Sequence, residues 1–507
     1  MGPAIVPLHR IAIGISIALG TWGADAATVK VNTADDAAAS ASCNLRDAIA
    51  SVNSSAATAT CASVVTGGAF GTNDTIVFDG TLANATITLT QGQLAVSKPL
   101  TITGSGQSID ANQLSRVLYV NATALTASNV TLTGGKATGA GPANVGGAIY
   151  AKTSTLTLNH ANITTNSSAD AGGGIFSRNG NLTLIDSTVA NNAAAGFGGG
   201  LAVYGVTLTL TNSLVSGNVG SKVGGLLIAR PSIAPNYTTA SFTNTTVSGN
   251  TANCAANWCS GGILARGTLL NMSDSTISGN TAHGNHDYIV GGAYFYNTSA
   301  TFINSTIADN SATGNNIVSG GASEVHGDAY SRYGLTLINC TVASNVAASY
   351  SLTGNHIGGA ILSGILDAGA TGFTSMLTLS NTIVSSNLPA PEVLTSATTT
   401  INATYSLLGS AENVTPFSSG TNHNVFSDTP VLGPLANNGG PTRTMALLVS
   451  SPAIDAGSNA LAKGDALPLQ YDQRGVSYPR VFNATVDIGA VEYQHDRLFA
   501  NAFEAGP

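Results

Sequence analysis

The stretch Gly172-Gly173-Gly174-Ile175-Phe176, followed by Leu182-Thr183-Leu184, Asp186-Ser187-Thr188-Val189 and Asn192, is written eight times in this chain. A Gly-Gly pair opens each copy, at 146, 172, 198, 224, 261, 291, 320 and 358. An asparagine closes each one: Asn166, Asn192, Asn218, Asn250, Asn280, Asn310, Asn345 and Asn387. Self-similarity at a period of roughly 20–50 residues is the signature of a stacked repeat. Eight residues before the asparagine stands Leu158, Leu184, Leu210, Phe242, Met272, Phe302, Leu337 or Leu379. Three before it stands Ile163, Val189, Val215, Val247, Ile277, Ile307, Val342 or Val384. A β-branched residue in a fixed column suits stacked strands. Gly, Thr and Asn are poor helix formers, and no 3.6-residue period runs through the copies. The expectation is an all-β chain, a right-handed parallel β-helix of about 11–12 coils with a cap at each end.

Within such a coil the asparagine has a mechanical role. A bend between strands often needs a left-handed residue, which Asn tolerates. Stacked about 4.8 Å apart, the amides would also bond to one another as a ladder. The Gly-Gly pair allows a second bend where a Cβ would not fit. The many Asn-x-Ser/Thr triplets then follow from turn and ladder chemistry rather than from glycosylation.

The spacing from asparagine to the next Gly-Gly is 6, 6 and 6 residues, then 11, 11, 10 and 13. Insertions at one corner of a solenoid map to one face, often the binding face. Here they carry Trp258, His283, His286, Asp287, Tyr288, Tyr350 and His356. A second candidate lies six residues after each first glycine: Lys152, Arg178, Tyr204 and Arg230, with Arg266 one position off. That basic column would suit an acidic glycan. It is also what a plain solvated strand end would look like.

Composition bounds the partners. Charged residues are 8% of the chain and hydrophobic residues 43%, with a net charge of −8. Apolar, periodic segments exclude a disordered chain. The negative balance argues against nucleic acid and anionic membrane surfaces. Residues 1–26 read as a signal peptide: His9 and Arg10 precede an apolar run from Ile11 to Leu19, and Ala24-Asp25-Ala26 offers a cleavage site. No other apolar run is long enough to span a bilayer. Export makes the cysteines candidates for disulfides, with Cys254 and Cys259 one staple and Cys43 and Cys61 a clasp on the N-terminal segment. Zinc at Cys254 and Cys259 lacks a second ligand pair. Cys340 reads as a small buried residue within a repeat strand.

The remaining segments divide as an N-terminal cap (27–73) with one short helix around Leu45 and Ile49, the solenoid (74–410), a more charged terminal module (411–495) and a tail (496–507). The copies resemble the repeats of polymorphic outer-membrane proteins, within the pectin-lyase-like superfamily of β-helices. The runs Gly146-Gly147-Ala148-Ile149-Tyr150 and Asn304 to Asn310 carry that likeness. Cys43-Asn44-Leu45-Arg46-Asp47-Ala48-Ile49 resembles the CSLREA motif of secreted bacterial β-helix proteins, departing from it at Asn44 and Asp47. The terminal module is similar to choice-of-anchor Q domains through Gly433-Pro434-Leu435, Pro441-Thr442-Arg443, Ser451-Pro452, Asp455, Asp472-Gln473-Arg474-Gly475 and Asp487-Ile488-Gly489 through Glu492. The tail from Phe499 to Glu504 resembles the Phe-x-x-Gly-Phe-Glu endings of secreted proteobacterial proteins, with Ala502 in place of the glycine. The resemblance implies a secreted or surface-attached bacterial protein, of a kind usually without an assigned activity. Polymorphic outer-membrane proteins end in a membrane barrel; no series of alternating strands follows Asn387, so none is expected here.

β-Helix proteins often cleave acidic polysaccharides, which would require carboxylates for Ca²⁺ and a basic residue to abstract a proton. No Asp column accompanies the basic one; Asp186, Asp274 and Asp309 read as scattered turn residues. Asp455, Asp472, Asp487, Arg443 and Arg474 read as turn caps and buried ion pairs at the closing coil. His283, His286 and Asp287 form a weak metal or acid–base candidate, since His-x-x-His alone carries little. The expectation is a non-catalytic extracellular scaffold that binds glycan, without cofactor or metal. The alternative is a polysaccharide lyase or hydrolase.

Overall fold

The computed structural model describes residues 26–494 apart from 39, 231–237, 255–257, 286–287, 315–316, 327–332, 350–355, 367–374, 390–391, 396–398, 410–420 and 465–466. The signal-peptide reading and the tail at 496–507 fall outside these, as do His286, Asp287 and Tyr350. The chain is a parallel β-helix. Pairing runs from Ala27–Val31 through every coil to Thr399–Thr404, and each step between coils is parallel.

The two apolar columns read from the sequence are true registers. Leu158 pairs with Leu184, and so on through Leu210, Phe242, Met272, Phe302 and Leu337 to Leu379. Ile163 to Val384 align in the same way on the next face. All sixteen side chains are at most 1% exposed and belong to one continuous core. Stacking like on like fills the interior because each coil repeats the same shape 4.8 Å or so above the last.

The closing asparagines form a ladder. Each Nδ2 from Asn166 to Asn345 donates to the Oδ1 of the next asparagine at 2.9–3.0 Å. Asn387 ends the series on the Glu392 carboxylate at 2.9 Å. Their backbone role differs from the expected one. The left-handed residue is the neighbour before: Thr165, Asn191, Gly217, Gly249, Gly279, Asp309, Ser344 and Ser386 all have positive φ. Asparagine is needed at the ladder because a buried amide can donate twice and accept twice.

A second left-handed column lies six residues before the ladder, at His160, Asp186, Asn212, Asn244, Asp274, Asn304, Asn339 and Asn381. The residue after it supplies a buried hydroxyl that accepts from the coil below, as Ser213 does from Ser187 N and Ser275 from Thr245 N. Cys340 occupies this turn column, ahead of the strand Thr341–Ala343 rather than within it. The Gly-Gly pairs meet the asparagines across the coil. A Cβ on Gly262 would lie 2.4 Å from Gly292 O and 3.1 Å from the Asn280 carboxamide. Steric closure, more than a positive φ, is what demands glycine there.

At the N-terminal end the helix Leu45–Ser54 buries Leu45, Ala48, Ile49 and Val52 against the first coils. Asn44 caps it by accepting from Asp47 N at 2.9 Å, and Cys43 is bonded to Cys61. Arg46 pairs with Asp36 at 2.7 Å and donates to the carbonyls of Gly92 and Gln93. No helix among the described residues is long and apolar enough to cross a membrane.

The terminal module first adds one strand to the stack, Val425–Phe426 in parallel on Leu407–Leu408. The rest of it lies along the flank, over coils that are distant in sequence. Gln473 bonds Thr306, Thr276 and Ser275; Asn304 donates to Tyr471 O, Asn381 to Ser458 O, and Ala490 N to Thr341.

Candidate glycan-binding groove

Strands alternate their side chains, so the strand that follows each Gly-Gly points every second residue away from the core. Two outward columns result. The first runs Tyr119, Tyr150, Phe176, Ala202, Leu227, Leu264, Tyr294. The second, two residues on, runs Asn121, Lys152, Arg178, Tyr204, Ala229, Arg266, Tyr296. Arg266 is therefore in register and Arg230 is one position past it, the reverse of the expected alignment. The early copies carry an additional leading glycine at positive φ (Gly146, Gly172 and Gly198), whereas the next four have Val223, Ser260, Val290 and Ser319 there. Counting from the first glycine thus shifts the frame by one at Gly224. Arg230 still reaches the same surface by extending over Gly267.

The enlarged corners are a structured wall. Trp258–Ser260, Tyr288–Val290, Ile317–Ser319 and His356–Gly358 stack as a separate four-stranded parallel sheet. Ala252, Cys259, Ile289 and Val318 form a small core beneath it, and Cys254 is bonded to Cys259. Trp258 and Tyr288 share a register position and pack toward the outward columns. The Phe197 and Trp258 rings lie 5.5 Å apart, and Lys222 Nζ sits 4.3 Å from the centre of the first and 5.7 Å from that of the second. His283, by contrast, is exposed on the neighbouring eight-stranded sheet.

The floor and the turns at Asp170 and Phe197 bound a cleft of about 560 Å³, lined also by Phe176, Arg178, Tyr204, Arg230 and Arg266 among others. A smaller cavity of about 130 Å³ adjoins it at Arg266, lined by Trp258, Leu264, Tyr294 and Tyr296. Of the sequence candidates, the structure brings Arg178, Tyr204, Arg230, Arg266 and Trp258 together. Lys152 stands exposed one coil beyond, and Tyr288 backs the wall.

Aromatic rings stack along the floor, Tyr119 to Tyr150 to Phe176 to Tyr204, with centroids 5.3–5.5 Å apart. Arg116 is buried and holds the floor from one end. Its guanidinium donates to the carbonyls of Pro142, Val145 and Gly146 and lies 5.3 Å from the Tyr150 ring centre. Burial lowers its pKa to about 10. Burial likewise raises the Tyr150 phenol, against the opposing pull of Arg178. Tyr204 is pushed up to about 12, by burial first and then by the Asp170 carboxylate, with Arg266 opposing. At neutral pH Tyr204 keeps its proton, so it can donate a hydrogen bond but cannot serve as a base. Among the described residues no group of three His, Cys, Asp or Glu side chains could hold a metal ion.

The acids and bases of the terminal module are engaged structurally. Asp472 pairs with Arg474 at 2.5 Å and accepts from Glu492 N, while Arg480 and Glu492, both fully buried, approach to 3.2 Å. Asp487 accepts from Asp455 N and Tyr493 N. The expected pairs and turn caps are met at Asp472, Arg474 and Asp487, on the flank rather than at the closing coil.

Sequence reasoning missed Phe176, Phe197, Lys222, Asp170, Tyr294 and Tyr296. The signal for Tyr150, Phe176 and Tyr294 was present: all three stand third after the second in-register glycine. Phe197 and Lys222 come from turns just before Gly-Gly, where no periodicity marks them.

No family model matches the chain, and no curated protein does. Among solved structures the chain is similar to pectate lyase Pel9A, with 14% identity and a TM-score of 0.39 over 92% of this chain and 97% of that one. It is also similar to a mannuronic-acid-specific polysaccharide family 6 lyase from human gut microbiota, with 12% identity and a TM-score of 0.29 over 70% of this chain and 85% of that one.

Proposed function

We propose that this chain is an extracellular β-solenoid that binds an acidic polysaccharide along its lateral groove. One observation carries the reading: Arg178, Arg230 and Arg266 converge with aromatic rings on one cleft, where Asp170 is the one carboxylate among the described lining residues. Arginine suits planar carboxylate recognition, and ring faces suit the apolar faces of sugars. Cations repeated along the stack, at a rise of about 4.8 Å per coil, match a polymer that carries charge along its length. Two disulfides fit an oxidising compartment.

A second reading, cleavage by β-elimination, draws on Tyr204 standing in register between Arg178 and Arg266. There a base would remove the proton next to the carboxylate, the C–O bond would break to leave an alkene, and Tyr204 would protonate the departing oxygen. Among the described lining residues Asp170 is the one carboxylate, so no carboxylate cluster stands beside the arginines, and binding without cleavage is the better-supported reading.

Titration of polygalacturonate, alginate and chondroitin sulfate into the protein tests both. Arg178→Gln is expected to weaken binding of the preferred polymer about 10-fold, the effect of roughly 1.4 kcal/mol, and binding should weaken with added salt. Absence of binding to every acidic polymer would refute the proposal. Ultraviolet absorbance from unsaturated sugar ends, lost in Tyr204→Phe, would establish the second reading instead.

A further inference from the structure

We infer that the groove reads two kinds of sugar unit in tandem: charged units in the arginine cleft, and an uncharged, ester- or acyl-capped unit in the aromatic cavity beyond Arg266. This rests on the groove being an acidic-glycan site, and goes on to specify the chemistry of the chain that fills it.

The floor changes character at one coil. From Lys152 to Arg266 cations recur, with Arg178 and Arg266 three rungs and so about 14 Å apart, and with Arg230 between them. One rung further the outward pair becomes Tyr294 and Tyr296, and the wall supplies Trp258. Leu264 and Tyr294 are buried, and the Arg266 guanidinium turns over the Tyr296 ring at 5.3 Å from its centre. Arg266 is the one charged group among the described residues lining this cavity.

Desolvation decides what each section accepts. A carboxylate in the cleft meets guanidinium groups that replace its lost water. The same carboxylate moved past Arg266 would lie against indole and phenol rings, with Arg266 the one cation among the described residues that line the cavity. Burial of an unpaired charge costs several kcal/mol. A uniformly charged polymer spanning both sections must bear that cost or stop short of the aromatic cavity. Masking the acid as an ester, or carrying an acyl group, turns the cost into apolar burial against Trp258 and Tyr296. The groove therefore favours a chain of mixed charge over a fully charged one.

Two forms of one polymer test this: polygalacturonate stripped of esters, and the same preparation partly methyl-esterified, each titrated calorimetrically. The wild-type protein is expected to bind the partly esterified form about 5-fold more tightly, a difference of roughly 1 kcal/mol. In Trp258→Ala, and independently in Tyr296→Ser, that ratio should fall to near one. Arg178→Gln should weaken both forms and keep the preference. Circular dichroism and melting of each variant confirm that the fold is retained. Equal or tighter binding of the stripped form by the wild type, or a preference that survives both aromatic substitutions, overturns the inference. Failure of both forms to bind overturns the inference, and failure of alginate and chondroitin sulfate as well overturns the acidic-glycan reading itself.

Discussion

Asn250 shows how much a single residue carries in this fold. Its amide donates to Val215 O and to Asn280 Oδ1, and its oxygen accepts from the Nδ2 and the backbone N of Asn218. It is fully buried, so removing the amide strands donors and acceptors on both neighbouring coils. Asn250→Ala is expected to cost on the order of 3 kcal/mol in denaturant unfolding, since each stranded buried group costs about 1–3 kcal/mol. Asn244, six residues earlier, offers the contrast. Its backbone is left-handed, and glycine adopts that conformation freely. Asn244→Gly should stay within about 0.5 kcal/mol of wild type. Equal losses in the two variants would show that the ladder contributes nothing beyond its turn. The sequence distinguished these columns by position but could not assign their roles, because asparagine serves both. Ladder and bend differ in backbone φ and in whether the side chain points into the coil; burial alone does not separate them, since Asn304, Asn339 and Asn381 of the bend column are buried too.

At the scale of the element, what the sequence made legible was periodic and what it hid was local. Columns such as Leu158 to Leu379 repeat in every coil, so one alignment reveals them all. The basic column failed at Arg230 because Val223 stands where the earlier copies have a leading glycine, shifting the frame by one. The four-stranded wall was legible only as insertion length; its pairing depends on four insertions having nearly equal size. The ladder, as an element, also ends in a titratable group. Glu392 is buried, and desolvation raises its pKa to about 7, against the opposing hydrogen bond from Asn387. A carboxyl whose pKa is higher in the folded than in the unfolded chain binds more protons when folded. Stability is then greatest below the unfolded pKa near 4.5, declines as pH rises toward 7, and is level above that. Melting at pH 5 and pH 8 should show a drop in the wild type that Glu392→Gln diminishes. An unchanged pH dependence in that variant would exclude Glu392 as its source.

On the scale of the whole molecule, the terminal module beyond its one stacked strand works as a strap. A solenoid's contacts are between adjacent coils, so it can open locally without global unfolding. The strap opposes this by bonding several coils from outside. Gln473 is its central pin: fully buried, it accepts from Thr306 Oγ1 at 2.6 Å and donates to Thr276 Oγ1, Ser275 O and Thr442 Oγ1. The Asp472-Gln473-Arg474-Gly475 run is explained by this geometry, with Asp472 and Arg474 folding the turn that presents Gln473. Gln473→Ala leaves the core columns and the groove intact, since Gln473 touches neither. It is expected to raise the rate of limited proteolysis within residues 430–490 at least about 10-fold, the effect of roughly 1.4 kcal/mol on local opening. Binding of an acidic polymer should be unaffected, because the groove lies on strands the strap does not contact. If cleavage instead appears first among the coils near Thr276 and Thr306, the strap is what holds those coils closed, and its role extends from attachment to the stability of the solenoid itself.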